Sequence, residues 1–256
     1  MEFIDTHSHL YEPEFDTDRS EAMDRAAGAG VDRLLLPAID SQSHERLFEM
    51  CRQYPDSCFP MMGLHPTSVN DNPAWRQELA LVEKYLADPP VGAFCAVGEI
   101  GLDFYWSSDF VAEQTECFRR QVELAIEYDL PLIVHTRSAW DEMLTILEEY
   151  KGRARGILHA FGESAEVFER IERLGGFVVG IGGVVTYKKS PLLESVPQIP
   201  LSMMVVETDS PYLSPVPFRG KRNEPKNLVY ICEQIAHLKG CTAEEVAEAT
   251  TRNARN

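Results

Sequence analysis

Among 256 residues no run reaches the roughly 18 consecutive apolar positions that a membrane-spanning helix needs. The N-terminal Met1-Glu-Phe-Ile-Asp5 has neither a basic region nor an apolar one behind it, so no secretory signal is expected. Low-complexity tracts and Ser/Gly/Pro-rich linkers are missing, which argues against flexibly joined modules. Cysteines are few: Cys51, Cys58, Cys95, Cys117, Cys232 and Cys241. None forms a C-x-x-C pair, and Cys58 and Cys95 lie in apolar runs. They read as buried thiols of a reducing compartment, the cytoplasm, rather than as a disulfide set. Basic residues are also in short supply, 24 Lys+Arg against 41 Asp+Glu, for a net charge of −17. Such a surface cannot coat nucleic acid or an anionic membrane by bulk electrostatics, since both are polyanions.

The composition is otherwise that of a globular protein, 44% hydrophobic and 25% charged. Eight short apolar runs recur along it. They are Phe3-Ile4, Leu34 to Leu36, Phe59 to Leu64, Phe94 to Ile100, Leu132 to Val134, Gly156 to Leu158, Phe177 to Ile181 and Met203 to Val206. Continuous apolar character, without alternation, suits parallel strands buried on both faces. Helical periodicity fills the intervals: Val111, Thr115, Phe118, Val122; Ala139, Met143, Ile146, Tyr150; Leu228, Ile231, Ile235, Leu238. Thr242-Ala-Glu-Glu245 reads as a capping box opening a last helix. Eight strands alternating with helices over about 250 residues predict an α/β fold, a (β/α)8 TIM barrel formed by residues 1–256 as one domain. An open doubly wound sheet is the structural rival.

The polar residues favour the barrel, in which all C-terminal strand ends meet at one mouth. Of seven histidines, only His44 and His237 fall on predicted helices. The others follow apolar runs: His7 and His9, His65, His135 and His159. Glu99 and Asp209 occupy equivalent places after the fourth and eighth runs. His7 and His9 are two apart on a strand and so face one side. A carboxylate in such apolar surroundings needs a counter-charge or a metal. His7, His9, Glu99, His135, His159 and Asp209 together are expected to bind metal. Six ligands exceed the usual three of a single catalytic ion and suit two divalent ions. Mixed N/O ligation is compatible with Zn, Mg, Mn, Ni or Co.

With these residues goes a series of motifs: F-I-D-T-H-S-H-L at 3–10, G-L-H-P at 63–66, V-G-E-I-G-L-D-F-Y at 97–105, P-L-I-V-H-T-R at 131–137, I-L-H-A-F at 157–161, G-G-V-V-T-Y-K-K at 182–189, V-E-T-D-S-P-Y-L at 206–213 and R-G-K-R-N-E-P at 219–225. In order and extent the chain resembles the TatD family of metal-dependent deoxyribonucleases. That resemblance implies a two-metal hydrolase, a DNase of exonuclease type that cleaves phosphodiester bonds with a water activated between two ions. It implies that His7, His9 and Asp209 hold one ion, His135 and His159 the other, and that Glu99 bridges. Ala160 stands where the family often has Cys, Glu163 adds a charge nearby, and Trp106 replaces a residue that is often basic.

Catalytic roles are expected for Asp209, Glu99 and His65, with Asp209 as ligand or as acceptor of the water's proton. His65, without an assigned metal, is expected to touch the scissile phosphate or donate to a leaving oxygen. Asp5 and Glu207 are candidates to orient ligands. Arg219 and Arg222, with Lys221, Lys226 and Lys188-Lys189, are expected to bind phosphate, because a guanidinium fork suits two oxygens. Tyr105, Trp106 and Tyr212 are candidates to stack bases or to pack the rim. Residues 183–226 carry six basic against four acidic side chains, so the remaining chain is the acidic part. The expected partner is therefore a DNA strand end engaged locally. The competing readings are hydrolysis of a small phosphoester, ester or amide, hydrolysis of D-aminoacyl-tRNA, and a non-catalytic protein that keeps metal for structure.

Overall fold

The apolar runs fold into eight parallel strands: β1 (Phe3–Asp5), β2 (Val31–Pro37), β3 (Cys58–Met62), β4 (Ala96–Asp103), β5 (Leu132–Arg137), β6 (Gly156–Leu158), β7 (Phe177–Ile181) and β8 (Met204–Val206). The computed structural model describes residues 1–256. Each strand pairs with the next in sequence, from β1 to β8. No open doubly wound sheet has this order. The ring closes just past the ends of β8 and β1, where Thr6 N donates to Val206 O (3.2 Å), Asp209 N to His7 O (2.8 Å) and His9 N to Ser210 O (2.7 Å). The seam of the barrel thus lies among the predicted ligands.

Helices α1 (Arg19–Gly28), α2 (Ser41–Gln53), α3 (Trp75–Ala87), α4 (Val111–Glu127), α5 (Trp140–Glu149), α6 (Ala165–Leu174), α7 (Leu192–Ser195), α8 (Leu228–Lys239) and α9 (Ala243–Arg255) surround the sheet. The predicted capping box opens α9, with Thr242 and Glu245 each accepting the other's backbone N–H. No helix is long and apolar enough to cross a membrane. A cluster of 63 buried apolar residues fills the space between strands and helices. A second cluster, Met61, Ala96, Ile133, Ile157 and Val205, plugs the inside of the barrel. Burying such a side chain is worth about 1.5–3 kcal/mol.

Two elements differ from the expected ones. Strands β4 and β5 continue past their apolar runs, pairing as far as Asp103 with Arg137, because the ladder supplies backbone partners whatever the side chains are. His7 and His9 lie beyond β1 rather than on it. They are held by the seam and still converge, their Nε2 atoms 3.1 Å apart.

Candidate metal centre

Alternation along the strands builds the site. Side chains two apart share a face. Ile133 belongs to the inner plug, so His135 and Arg137 also face the barrel axis, one above the other. Ile157 is followed in the same way by His159, and Val205 by Glu207, which meets His159; Asp209 lies beyond β8 with a positive φ of 55° and enters the cleft from the seam. Backbone bonds set the heights: Glu99 N donates to Ala38 O (3.1 Å), His65 N to Ile39 O (2.9 Å) and His159 N to Val134 O (2.9 Å). A side chain at Gly101 would meet His135 O at 1.9 Å, so only glycine lets β4 lie this close to β5 beside the site.

Five imidazoles surround Glu99. Its Oε2 is 3.1 Å from His7 Nε2 and 3.7 Å from His9 Nε2. Its Oε1 is 3.0 Å from His135 Nδ1, 3.4 Å from His65 Nε2 and 3.8 Å from His159 Nε2. Asp209 Oδ1 lies 3.5 Å from His9 Nε2, 3.8 Å from His7 Nε2 and 3.9 Å from His159 Nε2. Three overlapping triads of ligand atoms result: His7, His9, Asp209; His7, Glu99, His159; and His65, Glu99, His135. Glu99 is buried, as are His7, His9 and His159.

Burial pushes the Glu99 carboxyl up, but the adjacent His7 and His65 and the bond from His135 outweigh it, leaving Glu99 well below the usual carboxylate range. Asp209 is likewise lowered against burial by His9 and His159. Burial opposes the charged form of His159, yet Glu207 raises it to about 10. Burial prevails at His7 and His65, whose values fall. Only histidines lie within ion-pair range of Glu99 and Asp209; no lysine or arginine does. The centre therefore has no lysine or arginine to balance its carboxylates; protonated imidazoles such as His159 do so, and on losing those protons the imidazole nitrogens, with the carboxylate oxygens, are the donors that divalent cations take.

Outer contacts decide which ring nitrogen is free. Tyr11 Oη donates to Pro37 O (2.7 Å), so it accepts from His9 Nδ1 at 2.9 Å and leaves His9 Nε2 with a lone pair. Asp103 Oδ2, 2.9 Å from His135 Nε2, takes that N–H and leaves Nδ1 facing Glu99. Glu207 Oε1 lies 2.9 Å from His159 Nδ1, close enough to pair by charge although not aligned as a hydrogen bond, and accepts Ala160 N at 2.6 Å. Asp5 instead accepts Thr208 N (2.9 Å) and His7 N (3.3 Å), so it ties the seam together rather than touching a ring. His7 Nδ1 has no hydrogen-bond partner, and His65 is held differently again. His65 Nδ1 lies 2.6 Å from Thr67 Oγ1 and 3.2 Å from Thr67 N, and when it accepts from both the proton sits on Nε2. In that tautomer the nitrogen faces Glu99 as a donor; in the other it completes the triad of His65, Glu99 and His135.

The centre lies in a cleft of about 710 Å³ lined by His9, His65, Glu99, His135, His159 and Asp209, with Arg137, Glu12, Glu163 and Tyr212 also in its walls. Arg219 and Arg222 are not among the lining residues. Arg222 grips Asp18 with both Nη atoms (2.7 and 2.8 Å) and also bonds Glu224 (3.1 Å). Arg219 lies over the Tyr187 ring at 4.5 Å. The fork of Arg222 is thus taken up by carboxylates, whereas Arg219 has only the ring contact and no ion pair; neither lines the cleft. The cation that does reach the cleft is Arg137, the only lysine or arginine lining it. Its signal in the sequence is its place two residues after His135 on an inward-facing strand.

Comparison with known proteins agrees with this geometry. The model of the family described as TatD related DNase matches residues 4–256. The uncharacterized metal-dependent hydrolase YabD of Bacillus subtilis is 41% identical over 98% of this chain and 97% of its own length. The 3'-5' ssDNA/RNA exonuclease TatD of Erwinia tasmaniensis is 32% identical over 98% of each chain. The crystal structure of YjjV, a TatD homolog from Escherichia coli K12, superposes with a TM-score of 0.89 at 31% identity, covering 98% of this chain and 95% of that one.

Proposed function

Because this chain belongs to the TatD-related DNase family it is a metal-dependent hydrolase, and we propose that it hydrolyses phosphodiester bonds at the ends of DNA strands with two divalent ions. The carrying observation is the division of Glu99, whose Oε2 faces His7 and His9 while Oε1 faces His135 and His159. A carboxylate so placed can serve two ions at once. His7, His9 and Asp209 would hold one, and His135 and His159 the other. When bound, such ions polarise a phosphoryl oxygen and lower the pKa of water toward neutrality.

The protein's own groups do the remainder. Asp103, Glu207 and Tyr11 orient the ligand imidazoles. Asp209 lines the open side of the cleft and is placed to take a proton from the attacking water. His65, neutral with its proton on Nε2, donates to a phosphoryl or leaving oxygen. Arg137, which lines the cleft, supplies a phosphate contact beside the centre, and Arg219, without an ion-pair partner, is available further out. Glu12 and Glu163 in the same walls, and the net charge of −17, disfavour a long duplex contact and favour a strand end. The named activity of the Erwinia relative supports the same substrate class. Six unpaired cysteines favour the cytoplasm.

The test is to count bound metal by elemental analysis and offer end-labelled single- and double-stranded DNA, RNA and D-aminoacyl-tRNA with Mg, Mn or Zn. A nucleotide ladder from DNA is expected. Cleavage of small esters or amides without cleavage of any nucleic acid would replace the nuclease reading.

A further inference from the structure

We propose that Tyr105, Trp106 and Arg137 form a platform that holds an unpaired nucleobase and its phosphate beside the scissile bond, an inference that rests on the nuclease reading. Trp106 is 68% exposed and Tyr105 56%, the turn after β4 holding both in water. Their neighbour Phe104 packs against the core instead, so the turn buries one aromatic and offers two. The two offered rings meet edge to face, with centroids 5.0 Å apart. Arg137 Cζ lies 3.6 Å from the Tyr105 ring centroid and 5.5 Å from that of Trp106.

The arrangement is held from below. Asp103 Oδ1 accepts Tyr105 N at 3.0 Å, and Phe104 N donates to Arg137 O at 3.0 Å. Arg137 has no carboxylate within ion-pair distance, unlike Arg25 and Arg222. A guanidinium stacked on one aromatic ring keeps its edge N–H groups for an anion. It lines the cleft that holds Glu99 and Asp209, so an anion bound there would be continuous with the metal centre. The exposed indole then offers a sequence-tolerant surface for the adjoining base. Bases inside a duplex have both faces covered, so the occupant is the unstacked end of a single strand.

A hydrolysis-resistant phosphorothioate oligothymidylate tests this through tryptophan emission of the full-length protein with its metal. Trp75 is buried, Trp140 lines the cleft and Trp106 is exposed, so the quenching that Trp106→Phe removes is the platform's own. Saturable quenching is expected in the wild type and its loss in Trp106→Phe. Arg137→Ala should weaken binding and reduce the salt slope by about 0.7, the value for one phosphate contact on a single strand. In turnover of single-stranded DNA, Trp106→Ala should raise KM by roughly 5- to 100-fold with far less change in kcat, and Trp106→Tyr should restore most of it. Unchanged quenching in Trp106→Phe, or an unchanged KM in Trp106→Ala while the wild type degrades DNA, overturns the platform and leaves the nuclease reading standing. Quenching that Trp106→Phe abolishes, without cleavage of any nucleic acid, supports the platform as a binding surface and removes the nuclease reading. Absence of quenching in the wild type overturns the platform whatever is cleaved.

Discussion

Asp103 holds His135, its Oδ2 lying 2.9 Å from the ring Nε2, while its Oδ1 accepts the backbone of Tyr105. One carboxylate thereby orients a metal ligand and shapes the rim of the cleft. In Asp103→Asn the amide can donate to Nε2, which moves the ring proton to Nδ1 and removes the lone pair from the side facing Glu99. Metal affinity or activity is expected to fall by about 10- to 100-fold. Elemental analysis and kcat check it, and full metal content in the variant would refute the tautomer assignment.

Asp209 combines a place in the ligand cluster with an open face on the cleft. Asp209→Asn should lower turnover by at least about 100-fold while far-UV circular dichroism stays that of the wild type. A fully active variant would remove Asp209 from the chemistry.

Gly180 carries no functional group, yet a side chain there would meet Glu207 Oε2 at 2.1 Å. Glu207 is buried and has little room to yield. Gly180→Ala should displace it from His159 and from Ala160 N, and cost about 1–3 kcal/mol of stability. The expected signature is a lowered Tm together with reduced metal content. A lowered Tm with full metal content would mean that Glu207 does not position His159.

Chelation should abolish activity without unfolding the chain. The 63-residue core is apolar and holds none of the ligand residues themselves, so the barrel does not depend on metal as a zinc finger does. The ion nevertheless stabilises by mass action, by about 2.7 kcal/mol at a hundredfold excess over Kd. Calorimetry should show a lower Tm after chelation, recovered on adding back a divalent ion, with native circular dichroism throughout.

Asp18 binds Arg222 and Arg25, and those two guanidinium groups hold its carboxyl below the usual range. A carboxylate with a depressed folded value contributes stability above its unfolded value, near 3.9, and loses it as the pH falls toward the folded value. Asp18→Asn should therefore lower Tm at pH 7, by roughly 2–4 °C, and the gap from wild type should narrow as the pH falls below about 4. A gap independent of pH would point to packing instead of charge.

Much of the fold could be read from residue order. Leu132 to Val134 or Phe177 to Ile181 are apolar without alternation because both faces of a parallel strand are covered, and that pattern survives in one dimension. His65, Glu99, His135, His159 and Asp209 were visible as polar residues at the ends of such runs. The extension of β4 and β5 to Asp103 and Arg137 was not, because a ladder keeps polar residues in a strand without asking for apolar ones.

Arg222 and Arg137 mark the same boundary. Both are arginines beyond the apolar run of a strand, and each could meet a phosphate as far as its neighbours in sequence are concerned. Arg222 is occupied by Asp18, 204 residues away in the chain, and Arg137 reaches the cleft without a carboxylate partner. The ring proton of His9 depends in the same way on Tyr11 and the carbonyl of Pro37, and that of His135 on Asp103. Residue order by itself determined the barrel and the chemical types gathered at its mouth, since burial and strand period act locally. Only the closed barrel decided which charges are spent on each other and which nitrogens stay free, since those depend on groups that meet after the seam between β8 and β1 has formed.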